Sequence, residues 1–316
     1  MTTLGKTAGG LFWMFRYLER SENLARLIEA GLRISLTRGG AASEEWRSVI
    51  STAGLTEAFE SAHGEEYTAA HVVNFLLRDR SHGSSVLCMT ERARDNGRIV
   101  RTAITREVWE ATNECYITVR TMLARPVREA DLPDILGSIR RQSALVRGAL
   151  HGTMLRNDIY NFARIGTFLE RADNSARILD VKYYLLLPTI AHVGSTMDIG
   201  QWETVLRSLS ALHSFRWLNP GDPKPIDIAS FLILDGRFPR SILFCIRKIE
   251  ENLHWLEREY GETCGSQQLA RQLLGSIEQA SIEKIFETGL HEFLQGFMVE
   301  NRALAEQINT DYRFTG

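Results

Sequence analysis

The chain has 316 residues, enough for one large domain or two smaller ones. Hydrophobic residues make up 44% and charged residues 24%, a globular mixture that excludes a disordered chain. Lys and Arg total 37 and Asp and Glu total 39, so the formal net charge is -2 and general attraction to nucleic-acid phosphates is not expected.

Met1 to Gly10 is small and polar and lacks the basic-then-apolar order of a signal peptide. Helical periodicity runs over residues 8–38, where Met14, Leu18, Ala25, Ile28 and Leu32 share a face, and Gly39-Gly40 is the expected stop. Residues 85–124 read as one long helix ending at Pro126. Asp131 or Asp134 is the expected cap of a helix reaching His151. Another long helix is expected from Asn157 to Leu187, stopped by Pro188. Residues 219–225 form a Pro-rich loop, helices resume near Ile226 and Pro239, and the last runs from Ser281 to Thr310. Strand alternation is nowhere sustained, so the expected fold is all-α and bundle-like.

The longest apolar stretch, Tyr183 to Leu187, is cut by Pro188 and falls far short of the ~20 residues of a membrane span. No membrane partner is expected, and the expected compartment is the cytoplasm. Cys88, Cys115, Cys245 and Cys264 lie far apart without a CxxC pair, which suits reduced core cysteines better than zinc ligands or disulfides.

The most informative feature is self-similarity. Leu18-Glu19-Arg20-Ser21-Glu22-Asn23-Leu24-Ala25-Arg26 matches Leu169-Glu170-Arg171-Ala172-Asp173-Asn174-Ser175-Ala176-Arg177 at an offset of 151 (169 minus 18). Trp46 and Trp202, Phe75 and Phe231, Ser85 and Ser241, Leu87 and Leu243, and Asn96 and Asn252 all correspond at 156. Four collinear blocks predict a duplicated helical unit, residues 1–150 and 151–316, the two copies packing about a pseudo-twofold axis as one integrated domain. Large apolar residues kept at both positions (Trp46, Trp202, Phe75, Phe231, Leu87, Leu243) are expected in the core.

Glu19, Asn23 and Arg26 fall on one helical stripe, as do Glu170, Asn174 and Arg177, nearly opposite the apolar face. Glu22–Arg26 and Asp173–Arg177 are i,i+4 acid–base pairs, which favours a solvated stripe. Against that, Phe12 and Val181 share the stripe, and a solvated surface has no need to repeat Glu, Arg, Asn and Arg in order. Buried Arg and Glu are costly unless paired. The candidate residues are therefore Glu19, Arg20, Asn23, Arg26, Glu170, Arg171, Asp173, Asn174 and Arg177, serving either as an ion-pair network between the halves or as a ligand or partner site. Glu19, Arg20, Glu170 and Arg171 are expected close together at the junction.

These residues carry a resemblance. Leu11-Phe12-Trp13-Met14, Arg16-Tyr17-Leu18-Glu19-Arg20, Glu22-Asn23 and Ala25-Arg26-Leu27 resemble the opening signature of the alpha-E domain family, a bacterial all-α family named for its Glu-Arg motif. Leu169-Glu170-Arg171-Ala172-Asp173 with Ala176-Arg177-Ile178-Leu179-Asp180-Val181 resembles its second segment. Phe231-Leu232-Ile233-Leu234-Asp235 with Phe238-Pro239-Arg240-Ser241, and Arg106-Glu107-Val108-Trp109-Glu110 with Asn113, resemble two more. Gly9-Gly10 and Phe15 depart from the pattern, standing where a more polar helix start and a Gly are expected. The resemblance implies company with a circularly permuted ATP-grasp ligase and a transglutaminase-like protein, hence peptide or amide-bond chemistry, and a peptide or amino-acid ligand. It implies no settled activity.

Glu251-x-x-His254 is half of a di-iron carboxylate signature, but the duplicate of His254 is Arg98, so the second half is missing and no metal is expected. There is no His-Glu-x-x-His, no P-loop and no Gly-x-Ser-x-Gly, and no cofactor is expected. Three readings follow: an accessory binding or scaffold subunit of an ATP-grasp ligase system, an enzyme acting on amide or peptide bonds through the Glu/Asn/Arg cluster, and a purely structural helical protein.

Overall fold

The computed structural model describes residues 5–37, 42–185 and 196–314. Fifteen α-helices and one short 3-10 turn account for the regular structure among these residues, and no strand occurs there. The expected helix stops Gly39-Gly40 and Pro188 lie outside the described residues, as does the side chain of Val181.

Two long helices form the centre: α1 (Gly5–Thr37) and α8 (Asp158–Leu185). They pack on each other more extensively than any other pair. Their contacts advance together. Gly166 sits against the Phe12 carbonyl, Arg20 meets Glu170, and Asn23 and Leu27 share a cleft with Asn174 and Arg177. The helices therefore run in the same direction. Gly166 permits this approach, since a Cβ there would overlap the Phe12 carbonyl oxygen and carbon.

The remaining helices flank this pair. α2 (Ala42–Ala53) and α9 (Thr196–Ser208) each touch both central helices. α3 (Thr56–His63) leads into α4 (Ala69–Arg78), and a turn joins α4 to α5 (Val86–Ile99), which packs on α1. α6 (Arg106–Met122) pairs with α7 (Leu132–Thr153), which also reaches α1. After α10 (Leu212–Leu218) and α11 (Pro225–Leu234), α12 (Ile242–Tyr260) packs on α8. α13 (Gly265–Glu278), α14 (Ile282–Thr288) and α15 (Leu290–Asp311) complete the chain, with α15 against α8.

The expected continuous helix over 85–124 is two helices. α5 ends with the Val100 N–H on the Asn96 carbonyl, and Thr105 restarts the chain by accepting from the Val108 N–H at 3.4 Å. Likewise the expected last helix is broken at Gly289, whose φ of 113° no L side chain adopts comfortably. α12 begins at Ile242 rather than near Pro239, because the Ser241 hydroxyl accepts from the Phe244 N–H at 3.1 Å. Asp131 precedes α7 but makes no side-chain cap.

One apolar core runs through the helices and contains Trp46, Trp202, Phe75, Phe231, Leu87 and Leu243, all buried as the sequence predicts. Phe15, the departure from the family pattern, is buried too. Gly9 and Gly10 let α1 approach Phe314 and Val100, since a Cβ at either would crowd those side chains. The four cysteines carry no disulfide; Cys115 and Cys245 are buried, whereas Cys88 and Cys264 are half-buried.

Candidate functional site

Where α1 and α8 meet, two ion pairs cross between them. The Glu19 carboxylate receives Arg171 Nε on Oε1 and Arg171 Nη2 on Oε2, both at 2.9 Å. In reverse, Arg20 donates Nε and Nη2 to the two oxygens of Glu170, at 2.5 and 2.8 Å. Each is a fork of parallel bonds that a guanidinium supplies and an ammonium cannot. Both glutamates are almost fully buried.

Each carboxylate gathers further cations. Arg240, from the loop before α12, gives Nη1 to Glu19 at 2.9 Å and to Asn23 Oδ1 at 3.2 Å, and Nη2 to Glu22 at 2.8 Å. Arg147 of α7 reaches Glu19 at 3.5 Å and also bonds Glu22. Arg26 forks onto Glu22 at 3.0 and 2.7 Å. On the other side Arg16 donates Nε and Nη2 to Glu170, both at 3.2 Å. Glu22, Arg16, Arg147 and Arg240 were not among the candidates. Arg16 and Arg240 lie inside family-like segments, and that was their only signal; Arg147 gave none.

The solvated stripe is thus overturned for most of the motif. Glu19 and Asn23 are 1% and 4% exposed, because neighbouring helices bring in the charges that make burial tolerable. The two i,i+4 pairs, Arg26 with Glu22 and Arg177 with Asp173 (2.6 Å), do form.

Burial alone would push the Glu19 carboxyl up, but Arg171, Arg240 and Arg147 outweigh it and hold the group far below the usual carboxylate range. Glu170 is lowered the same way, burial being outweighed by Arg20 and Arg16. For Glu22, burial and the nearby Glu19 are outweighed by Arg240, Arg147 and Arg26. Burial draws Arg240 down to about 10, still protonated at neutral pH. Carboxylates so firmly ionised and so fully engaged are poor proton donors and weak bases. The cluster is built to hold position.

Beside the junction lies an open cleft of about 320 Å³. Arg20, Asn23, Asp173, Asn174 and Arg177 line it, as does Arg302 of α15. The Nδ2 groups of Asn23 and Asn174 are buried at its wall without a hydrogen-bond partner. Arg302 is exposed and enters no ion pair among the described residues. Arg26 lies away from this cleft and donates to Ser210 at 2.5 Å. The structure therefore divides the nine candidates. Glu19, Arg20, Glu170 and Arg171 close the junction, Arg20 and Glu170 also join Asn23, Asp173, Asn174 and Arg177 around the cleft, and Arg26 serves Glu22.

Among the described residues no group of three or more His, Cys, Asp or Glu side chains could hold a metal ion. Glu251 pairs with Lys248 and His254 with Glu257. No helix among them is long and apolar enough to cross a membrane.

The Alpha-E family model, described as a predicted alpha-helical domain with a conserved ER motif, matches residues 3–312. The chain belongs to the Alpha-E family. Its Glu-Arg pairs are Glu19-Arg20 and Glu170-Arg171, and in this Alpha-E chain each glutamate is bound by the arginine of the other pair. No curated protein and no solved structure matches the chain.

Proposed function

We propose that this Alpha-E protein is a non-catalytic binding subunit that works in the cytoplasm beside an ATP-grasp peptide or amide ligase. On this reading the Glu-Arg junction is a staple and the adjoining cleft takes a peptide or amino-acid group. The observation that carries it is the contrast between the two. Every carboxylate of the junction is saturated by arginine, whereas the cleft wall keeps unpartnered amide donors at Asn23 and Asn174 and a free guanidinium at Arg302. A saturated, depressed carboxylate cannot shuttle protons, which speaks against the enzyme reading. A dry staple alone would leave no orphaned donors, since unmade buried hydrogen bonds are costly.

We also read the chain as two units, residues 1–150 and 151–316, related by duplication about a pseudo-twofold axis. Helix starts support this: α3, α4 and α5 begin at residues 56, 69 and 86, and α10, α11 and α12 at 212, 225 and 242, each 156 later. Details support it as well. Phe59 meets Phe75 edge-on, as Phe215 meets Phe231. Ser143 bonds the Leu18 carbonyl, and Asn301 bonds that of Leu169.

The test is reconstitution with a circularly permuted ATP-grasp ligase from the same genome. The chain alone is expected to make and cleave no amide bonds, and ATP-dependent amide formation by the ligase is expected to rise when it is added. Asn174→Asp should weaken that rise while the melting temperature holds. Amide-bond activity of the purified chain alone would favour the enzyme reading instead.

A further inference from the structure

A second cleft, of about 410 Å³, has a lining distinct from that of the Glu-Arg cleft: Arg156, Tyr160, Arg164, Lys248, Glu251 and Trp255 among others. Its charge is lopsided. Three cations face one carboxylate, and that carboxylate, Glu251, is already taken by Lys248 at 2.6 Å. The remaining two guanidiniums have no acid partner among the described residues. Arg156 donates to the His151 and Met154 carbonyls and lies over the Tyr160 ring at 4.1 Å. Arg164 rests on the Phe168 ring at 4.3 Å and reaches only the neutral ring nitrogen of His151, at 2.9 Å.

Arg164 is the anomaly. Arg164 is half-buried, and a guanidinium drawn out of solvent is normally paired, because desolvating it without an anion is costly. The buried guanidiniums of the junction, Arg171 and Arg240, obey that rule through Glu19 and Glu22. Here its cleft neighbours are Arg156 and a neutral imidazole: burial, Arg164 and Arg156 push His151 down to about 4, so the ring accepts from Arg164 without adding charge. Beside these cations stands Trp255, 55% exposed despite its size, with the Arg258 guanidinium 5.2 Å from its ring. An exposed indole beside unpaired arginines offers a stacking face next to an anion hole.

We infer that this cleft binds an oxyanion carried on a planar ring, the oxyanion on Arg164 and Arg156 and the ring against Trp255. A nucleoside phosphate and an aromatic carboxylate share that chemistry. The site is independent of the Glu-Arg cleft, since the two share no lining residue.

The test titrates the full chain by calorimetry with adenosine monophosphate, benzoate, adenosine and inorganic phosphate. At least one of the two ring-bearing anions should bind saturably, and adenosine and phosphate should each bind about tenfold or more weakly, since a charged hydrogen bond or a stacked ring is worth roughly that factor. Adenosine monophosphate alone would identify a phosphate source, and benzoate alone a carboxylate source. Arg164→Gln should abolish binding of the anion, whereas Arg164→Lys should keep part of it. Trp255→Ala, at an exposed position that leaves folding intact, should weaken it about tenfold. Saturable binding of adenosine as tight as that of the better ring-bearing anion, wild-type affinity in Trp255→Ala, or no saturable binding of either ring-bearing anion would each overturn the assignment.

Discussion

Arg171 holds Glu19 by two parallel bonds of 2.9 Å, Nε to Oε1 and Nη2 to Oε2, from one long helix to the other. Glu19 is 1% exposed and the Arg171 side chain 10%. The other fork is less enclosed. The Arg20 side chain is 34% exposed, and Glu170 has Arg16 as a second partner. The two arginines of the motif should therefore differ. Arg171→Ala should cost about 3–5 kcal/mol in urea denaturation, and Arg171→Lys nearly as much, because Lys cannot form the fork. Arg20→Ala should cost about 1–2 kcal/mol, since solvent can reach Glu170 where the partly exposed Arg20 side chain stood, whereas Arg171 leaves an enclosed site. Equal losses at the two positions would contradict this asymmetry.

Acid should unfold the protein through the same glutamates. Their folded carboxyls lie below the unfolded value of 4.5, so the unfolded chain takes up protons first. Their contribution is complete above about pH 4.5 and is lost as pH falls below it. His151 adds an earlier slope of the same sign. Its folded value of about 4 lies under the ordinary 6.5, so stability falls as pH drops from 6.5 towards 4. Denaturation between pH 8 and 3 should show both segments, the Glu19→Gln variant flattening the lower one and His151→Gln the upper. A midpoint flat down to pH 4 would count against the His151 segment, and one flat down to pH 3 against both.

Two helical glycines should respond oppositely to alanine. Gly166→Ala drives a Cβ into the Phe12 carbonyl and must spread α1 from α8, so a loss of about 1–3 kcal/mol is expected. Gly148, exposed in α7, has nothing within 4 Å of an added Cβ. Gly148→Ala should stabilise by about 0.5–1 kcal/mol through helix propensity alone. Calorimetric melting of the two variants decides it, and a neutral Gly166→Ala would mean that the helices do not pack so closely there.

Periodicity reveals long helices and misses their interruptions. α1 and α8 were legible because apolar steps of three and four persist over many turns. The break before Thr105 was not, because one capping Thr in a periodic stretch reads like any other polar residue. Gly289 was missed for a related reason: a helix tolerates an isolated glycine, and only its φ of 113° makes it a stop. In the site, the repeated Glu-Arg spacing pointed to the crossed pairs, since both partners lie inside the repeat. Arg240 and Arg147 lie 221 and 128 residues from Glu19, and no local pattern encodes a partner brought in by tertiary packing. The two amides of the cleft were named for their stripe, but their unpartnered state follows only from what surrounds them.

The claim that the Glu-Arg motif acts by stapling the two long helices is tested most directly by a double-mutant cycle on Glu19 and Arg171. Glu19→Gln, Arg171→Met and the double variant are compared with the wild type by urea denaturation at pH 7. A direct buried fork predicts that the double variant is more stable than the sum of the single losses allows, with a coupling of about 2–3 kcal/mol. Losses that add to within about 0.5 kcal/mol would show that the two side chains do not act as a pair, and the staple would be wrong.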